Sequence, residues 1–229
     1  MRPISATGFL LAILPCLSPS PSMAASGPSF KCSQAASDVE QAICADPALA
    51  KVDLAIAHAF QQLRIRLDPD AGKALANDQK LFIGVRDSSL SENATHTTPA
   101  ENKAFLDEAM RSRAEFLASI QTGTQKDFAG TWETLSGRIV IQREAGGMLS
   151  VAATAVDQYA GRWICDASGK AKPEGRRLSI VDDQSDSTLI LKLEGAVLNV
   201  QENPKLGEGE SPAYCGVNGS LAGTYFRVK

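Results

Sequence analysis

Phe30-Lys31-Cys32-Ser33-Gln34-Ala35-Ala36-Ser37-Asp38-Val39-Glu40-Gln41-Ala42-Ile43-Cys44-Ala45-Asp46-Pro47-Ala48-Leu49 encloses a short helix between two cysteines and starts a longer one directly behind it. Ser37, with Glu40 three residues on, has the pattern of a capping box. A turn or two of helix should begin at Asp38, carry Val39, Ala42 and Ile43 on one side, and stop near Cys44. Asp46 is a good N-cap and Pro47 a good first helical residue, so a second helix follows at once. A Cys32–Cys44 bridge would fold the short helix back on the base of the long one. A loop that small is worth roughly 3 kcal/mol in the chain-entropy account.

Downstream, Leu49, Val52, Ile56, Phe60, Leu63 and Leu67 recur at three and four residues, predicting a helix from Pro47 to about Leu67 with Asp53 beside its apolar stripe. Asp68-Pro69-Asp70-Ala71-Gly72 breaks it. A further helix is expected over about Asp70 to Asp87, with Leu75, Asp78, Leu81, Phe82 and Val85 facing inward or near it. Ser88 to Pro99 reads as a polar surface loop containing the sequon Asn93-Ala94-Thr95. The last helix should run from about Pro99 to Gln121, its stripe formed by Phe105, Leu106, Ala109, Met110, Arg113, Leu117 and Ile120. Helices joined by short connections make a small antiparallel bundle.

After the linker Thr122-Gly123-Thr124-Gln125-Lys126 the texture changes. Alternating segments punctuated by turn residues predict strands at Gly130–Thr134, Gly137–Arg143, Leu149–Ala155, Gly161–Asp166, Arg177–Val181, Thr188–Leu193, Ala196–Gln201 and Gly223–Val228. About eight short strands point to an antiparallel β-barrel or sandwich. Trp132, early in the first of them, is expected to plug one end, and Trp163 to pack near Cys165. The expected class is α+β in two domains: helical over residues 25–121, a linker at 122–127, and β-rich over 128–229.

At the other end, Met1-Arg2 gives a positive charge, Gly8 to Leu14 a short apolar core, and Ser22-Met23-Ala24 small residues where a signal peptidase reads. Residues 1–24 therefore read as a secretory signal peptide. Cys16 invites a lipoprotein reading, against which Pro15 stands where a small residue is wanted. The expected location is periplasmic or secreted, with no transmembrane segment. Export suits the remaining cysteines, Cys32, Cys44, Cys165 and Cys215. They allow three pairings, and sequence proximity favours Cys32–Cys44 with Cys165–Cys215.

The 229 residues are 44% hydrophobic and 21% charged, an ordinary globular composition, and a net charge of −3 suggests no nucleic-acid partner. The acidity is uneven. Residues 25–125 hold ten Lys and Arg against thirteen Asp and Glu, whereas 126–229 hold twelve against thirteen. A modest acidic face on the helical half would suit a basic partner. Catalytic devices are sparse. His58 falls on the polar side of a helix and His96 in the polar loop, and no His/Cys cluster has metal spacing. Gly146-Gly147 and Gly207-Glu208-Gly209 sit in turns of the β region, not before a helix, so no phosphate loop is expected. Asp53 with Asp87, or Glu133 with Asp157, are the carboxylate pairs that could do acid–base work in a hydrolase. The pattern favours an interaction protein over an enzyme, with no cofactor.

Ser29-Phe30-Lys31-Cys32, then Val39 to Ala50, then Asp53-Leu54 and Ala59-Phe60, resemble the N-terminal domain of the LprI-type lysozyme inhibitors. Gln79, Phe82 and Arg86-Asp87 stand at later family positions, as do Leu106, Met110, Arg113 and Leu117. The resemblance spans about residues 29–120. Two further family cysteines are replaced together, at Ser88 and Phe105, as expected if they pair with each other in the family. The resemblance implies an envelope protein that binds a basic lysozyme, or another envelope protein, and blocks a lysozyme by occluding its cleft. It places Asp46, Asp53, Arg86, Asp87 and Arg113 as binding candidates. Each has a structural alternative: Asp46 as a cap, Asp53 and Arg86 as a bundle ion pair, Arg113 as a satisfied polar residue at the core edge. The competing expectation is a non-inhibitory module whose β domain holds a small ligand or an envelope component. A barrel lined by large residues would argue against it.

Overall fold

The computed structural model describes residues 27–88, 90, 98–203 and 211–229. The signal-peptide reading, Cys16, the sequon, His96 and Gly207-Glu208-Gly209 lie outside them. The helices are α1 (Asp38–Ala45), α2 (Pro47–Arg66), α3 (Pro69–Ser88) and α4 (Pro99–Ser119), preceded by a 3-10 turn at Cys32–Gln34. The capping box is complete. Ser37 Oγ accepts the Glu40 N–H at 3.1 Å, and Glu40 Oε2 accepts the Ser37 N–H. Asp46 Oδ1 takes the Ala48 and Leu49 N–H groups, starting α2 one residue after α1 ends. The Cys32–Cys44 bridge, with Cα atoms 5.7 Å apart, ties the 3-10 turn to the end of α1. At α4 Thr98 and Glu101 repeat the device.

These caps make part of the helical stability pH-dependent. Backbone N–H groups of Ala36 and Ser37 hold the Glu40 carboxyl below its usual value of 4.5, and Thr98 does the same to Glu101. Lys103, followed by the Ala48 N–H, holds Asp46 below 3.8. Each folded carboxyl is more acidic than its unfolded counterpart. Its contribution is therefore complete above the unfolded pKa and is lost as the pH falls through the folded one. Thermal melts of the helical signal should be flat from about pH 7 to 5 and drop below about pH 4. A midpoint unchanged down to about pH 2.5 would contradict this.

The second half forms one eight-stranded antiparallel sheet in the order β4-β3-β2-β1-β8-β7-β6-β5. The strands are β1 (Gly130–Glu133), β2 (Gly137–Arg143), β3 (Leu149–Val156), β4 (Ile164–Ala171), β5 (Arg177–Val181), β6 (Thr188–Glu194), β7 (Val197–Asn203) and β8 (Gly223–Val228). The expected Gly161–Asp166 strand is displaced towards the C-terminus. Asp157 N-caps a turn there, accepting the Tyr159 N–H, and holds the chain back from the sheet until Ile164. The sheet curls into a nearly closed barrel. At the seam the Asp183 N–H donates to Ser168 O at 2.7 Å, and the Ser168 N–H to the buried Asp182 carboxylate at 2.9 Å. Gly169 permits this approach, since a Cβ there would lie 2.5 Å from Val181 O. The barrel interior is filled by Trp132, Ile139, Ile141, Leu178, Leu191 and Tyr225 among others, and Trp132 Nε1 donates to Phe128 O. Cys165 and Cys215 are bridged beside half-buried Trp163.

Alternation along β8 sends neighbouring residues to opposite sides of the sheet. Tyr225 enters the barrel core, and Phe226 enters the helical core with Val197 and Ala196. Phe226 meets Phe116 of α4 edge to face at 6.4 Å. The helices thus pack on the outside of β7 and β8. The connection is tied down as well. Gln121 donates its N–H to Arg227 O, and buried Gln125 donates to Gly195 O.

Candidate functional site

α4 carries two adjacent stripes. Leu106, Met110, Arg113, Leu117 and Ile120 are buried against the other helices. Phe105, Ala109, Ser112 and Phe116 lie about 100° round the helix and face a groove between α3, α4 and the barrel. The reading of Phe105 as a core residue is therefore corrected: its side chain is 60% exposed at the groove's lip. Positions 105 and 106 are a helical step apart, so only one can point at the bundle axis, and Leu106 does. The groove has a volume of about 380 Å³. Phe82 and Val85 of α3 form one wall, and Leu135, from the β1–β2 turn, part of the other. Glu108 and Glu133 also line it, with Gln158 from the turn after β3. That turn is seated on α3 at Gly84, where a Cβ would come within 2.5 Å of the Tyr159 hydroxyl.

Arg113 holds the groove's base together. Only 2% exposed, it donates to Asp78 Oδ2 at 2.5 Å and to Gln79 Oε1 at 2.9 and 2.8 Å. Its guanidinium lies 5.3 and 5.0 Å from the ring centroids of Phe82 and Phe116. The other Asp78 oxygen accepts the Leu135 N–H at 2.8 Å, which fixes the β1–β2 turn to α3. Burial pushes the Arg113 pKa down and Asp78 opposes the shift; a guanidinium stays charged regardless.

The other predicted residues divide. Arg86 lines the groove and pairs with Asp87 at 2.8 Å and with buried Asp53 at 3.7 Å. Asp53 also accepts the Ser29 N–H at 2.7 Å, anchoring the start of the described chain. Asp46 caps α2 and pairs with Lys103 of α4 at 2.8 Å, away from the groove. The structure thus brings Arg86 and Arg113 to one site, with Asp53 and Asp87 behind Arg86 and Asp46 elsewhere. Phe105, Glu108, Phe116, Leu135 and Gln158 were missed as site residues. The available signal was the second α4 stripe.

The carboxylates of both suggested pairs are engaged by arginines. Arg86 bonds both Asp53 and Asp87, Glu133 meets Arg138 at 3.5 Å, and Arg162 holds the Asp157 carboxyl below its usual range. The groove is an apolar hollow whose rim carries charges of both signs, Glu108 and Glu133 with Arg86, and Glu133 is paired with Arg138.

Residues 31–120 match the family of the lysozyme inhibitor LprI. The LprI-like stretch runs from the start of the 3-10 turn region to the end of α4, including both walls that α3 and α4 give the groove. It agrees with the span of the sequence resemblance, and the barrel lies beyond it. No curated protein and no solved structure matches the chain. Among the described residues, no helix is long and apolar enough to cross a membrane.

Proposed function

We propose that this is an exported protein that acts by binding, and that it blocks a lysozyme by occluding the enzyme's cleft. The observation that carries the reading is the match of residues 31–120 to a lysozyme inhibitor family. Two disulfides fit an oxidising compartment, and residues 1–24 would supply the export signal. Lysozymes are typically basic, with catalytic carboxylates in a cleft. The acidic balance of the helical half therefore favours encounter with such a partner. The barrel, filled by large side chains, serves in this reading as a rigid support for the helices, which argues against a small ligand held inside it.

Mixing the purified protein with each of a panel of lysozymes and resolving the products by gel filtration tests the proposal. A complex that weakens as salt is raised is expected with at least one basic lysozyme. Separate elution of both proteins across the whole panel would overturn it.

A further inference from the structure

Half of the large apolar side chains exposed among the described residues come from one part of the barrel: Val156, Tyr159, Ile164 and Val217. Scattered exposed apolar residues need no explanation, but a contiguous set marks an interface. Val156 and Ile164 are register partners on β3 and β4, and alternation turns both outward. Tyr159 stands in the turn that joins the two strands. On the other side of β4 the Gly216 N–H donates to Ile164 O at 2.9 Å, which brings Val217, 76% exposed, to the end of the same row. The Cys165–Cys215 bridge fixes that segment against β4. The row therefore runs across the strands. Charges of opposite sign flank it. Asp166, two residues further along β4 and on the same outer face as Ile164, is exposed and has no ion-pair partner among the described residues. Two residues before Ile164 stands Arg162, its side chain 73% exposed. It reaches Asp157 through Nε, leaving its other N–H donors for a second carboxylate. The next charge in the Asp166 row is Arg138, two strands away and paired with Glu133 at 3.5 Å.

We propose that this face of the barrel is a dimer interface whose occupant is a second copy of this chain, related by a two-fold axis that runs along the apolar row. Rotation about an axis lying in the interface and crossing the strands reverses the direction of β4 in the second copy. Val156 and Ile164 then each meet their own counterpart. Arg162 comes opposite Asp166 of the second copy, and Asp166 opposite Arg162. Charge complementarity selects this occupant: a partner of one sign is attracted on one side of the row and repelled on the other, whereas a two-fold mate matches both sides at once. An axis along β4 would instead set like charge against like, and is disfavoured for the same reason. The row is small beside the roughly 800 Å² per partner of a standard interface, so the dimer is weak, with a dissociation constant on the order of 10 μM. This inference is independent of lysozyme binding.

Sedimentation velocity of the full chain from about 1 to 200 μM tests the proposal. A monomer–dimer equilibrium is expected, and a chain that stays monomeric throughout would overturn the interface. Ile164→Asp sets two carboxylates face to face on the axis and should weaken the dimer about tenfold or more. Ile65→Asp, at a comparably exposed isoleucine of α2, should change it less than about twofold. Equal effects of the two, or none, would refute this surface. Asp166→Arg brings two arginines together on each side of the row and should weaken the dimer about fivefold. Adding Arg162→Asp restores opposite charges and should return the constant to within about twofold of the parent. A double variant that associates no better than Asp166→Arg alone would contradict the two-fold arrangement. If melting shows Ile164→Asp or the double variant unfolded, Val217→Asp takes its place, with a loss of about fivefold expected and an unchanged constant contradicting.

Discussion

Arg113→Met destabilises the protein by about 3–5 kcal/mol, the expected cost of breaking a buried ion pair from one side. Methionine approximates the length of the aliphatic stem, while the guanidinium that lies over Phe82 and Phe116 is removed with the charge. The loss falls on Asp78, which is left without its charged partner beneath the groove, and on Gln79, whose Oε1 loses two donors. Because Asp78 also accepts the Leu135 N–H, the β1–β2 turn loosens and the groove loses a wall. Urea unfolding followed by circular dichroism measures the effect. Adding Asp78→Asn removes the stranded charge while an amide oxygen can still accept from Leu135. The double variant should therefore recover part of the loss. A single-variant cost under about 1 kcal/mol would show that the network contributes little.

Phe226→Ala should have an effect of similar size for a different reason. The ring is 1% exposed and sits in the helical core although it belongs to the last barrel strand. Truncating a buried phenylalanine costs about 3–5 kcal/mol through lost transfer energy and the cavity left behind. The edge-on contact with Phe116 accounts for about 0.5–1.5 kcal/mol of that. Since this side chain couples the helices to the barrel, the substitution should also split the unfolding transition. Helical dichroism and the fluorescence of Trp132 and Trp163 report on the two parts separately. Their midpoints should coincide in the parent protein and diverge in Phe226→Ala. Coincident, unshifted midpoints in the variant would contradict the shared core.

The local devices of the fold were legible in the sequence because each is encoded within a few residues. Ser37 with Glu40, Asp46 with Pro47, and the cysteine spacing carry their geometry in their spacing, and the alternation of β2 and β6 carries their faces. The start of β4 was not legible, because Asp157 organises a turn through its own side chain. Phe105 was misplaced because its hydrophobicity fits either of two neighbouring α4 stripes. Only the position of the barrel decides which stripe is covered by helices and which borders the groove. Phe226 shows the same limit: alternation puts it opposite Tyr225, but not against α4. The groove is created by the meeting of helices and barrel, so its lining comes from distant stretches such as Phe82, Phe116, Leu135 and Gln158. Single residues such as Arg86 and Arg113 could be picked out by resemblance, but their surroundings could not.

The most direct test of the account is the rate at which a lysozyme clears a suspension of cell walls as the purified protein is added. The account predicts that for at least one basic lysozyme the rate falls towards zero as the protein reaches equimolar amounts, with added salt restoring it. Undiminished clearing by every lysozyme tried, at micromolar excess of the protein, would contradict it.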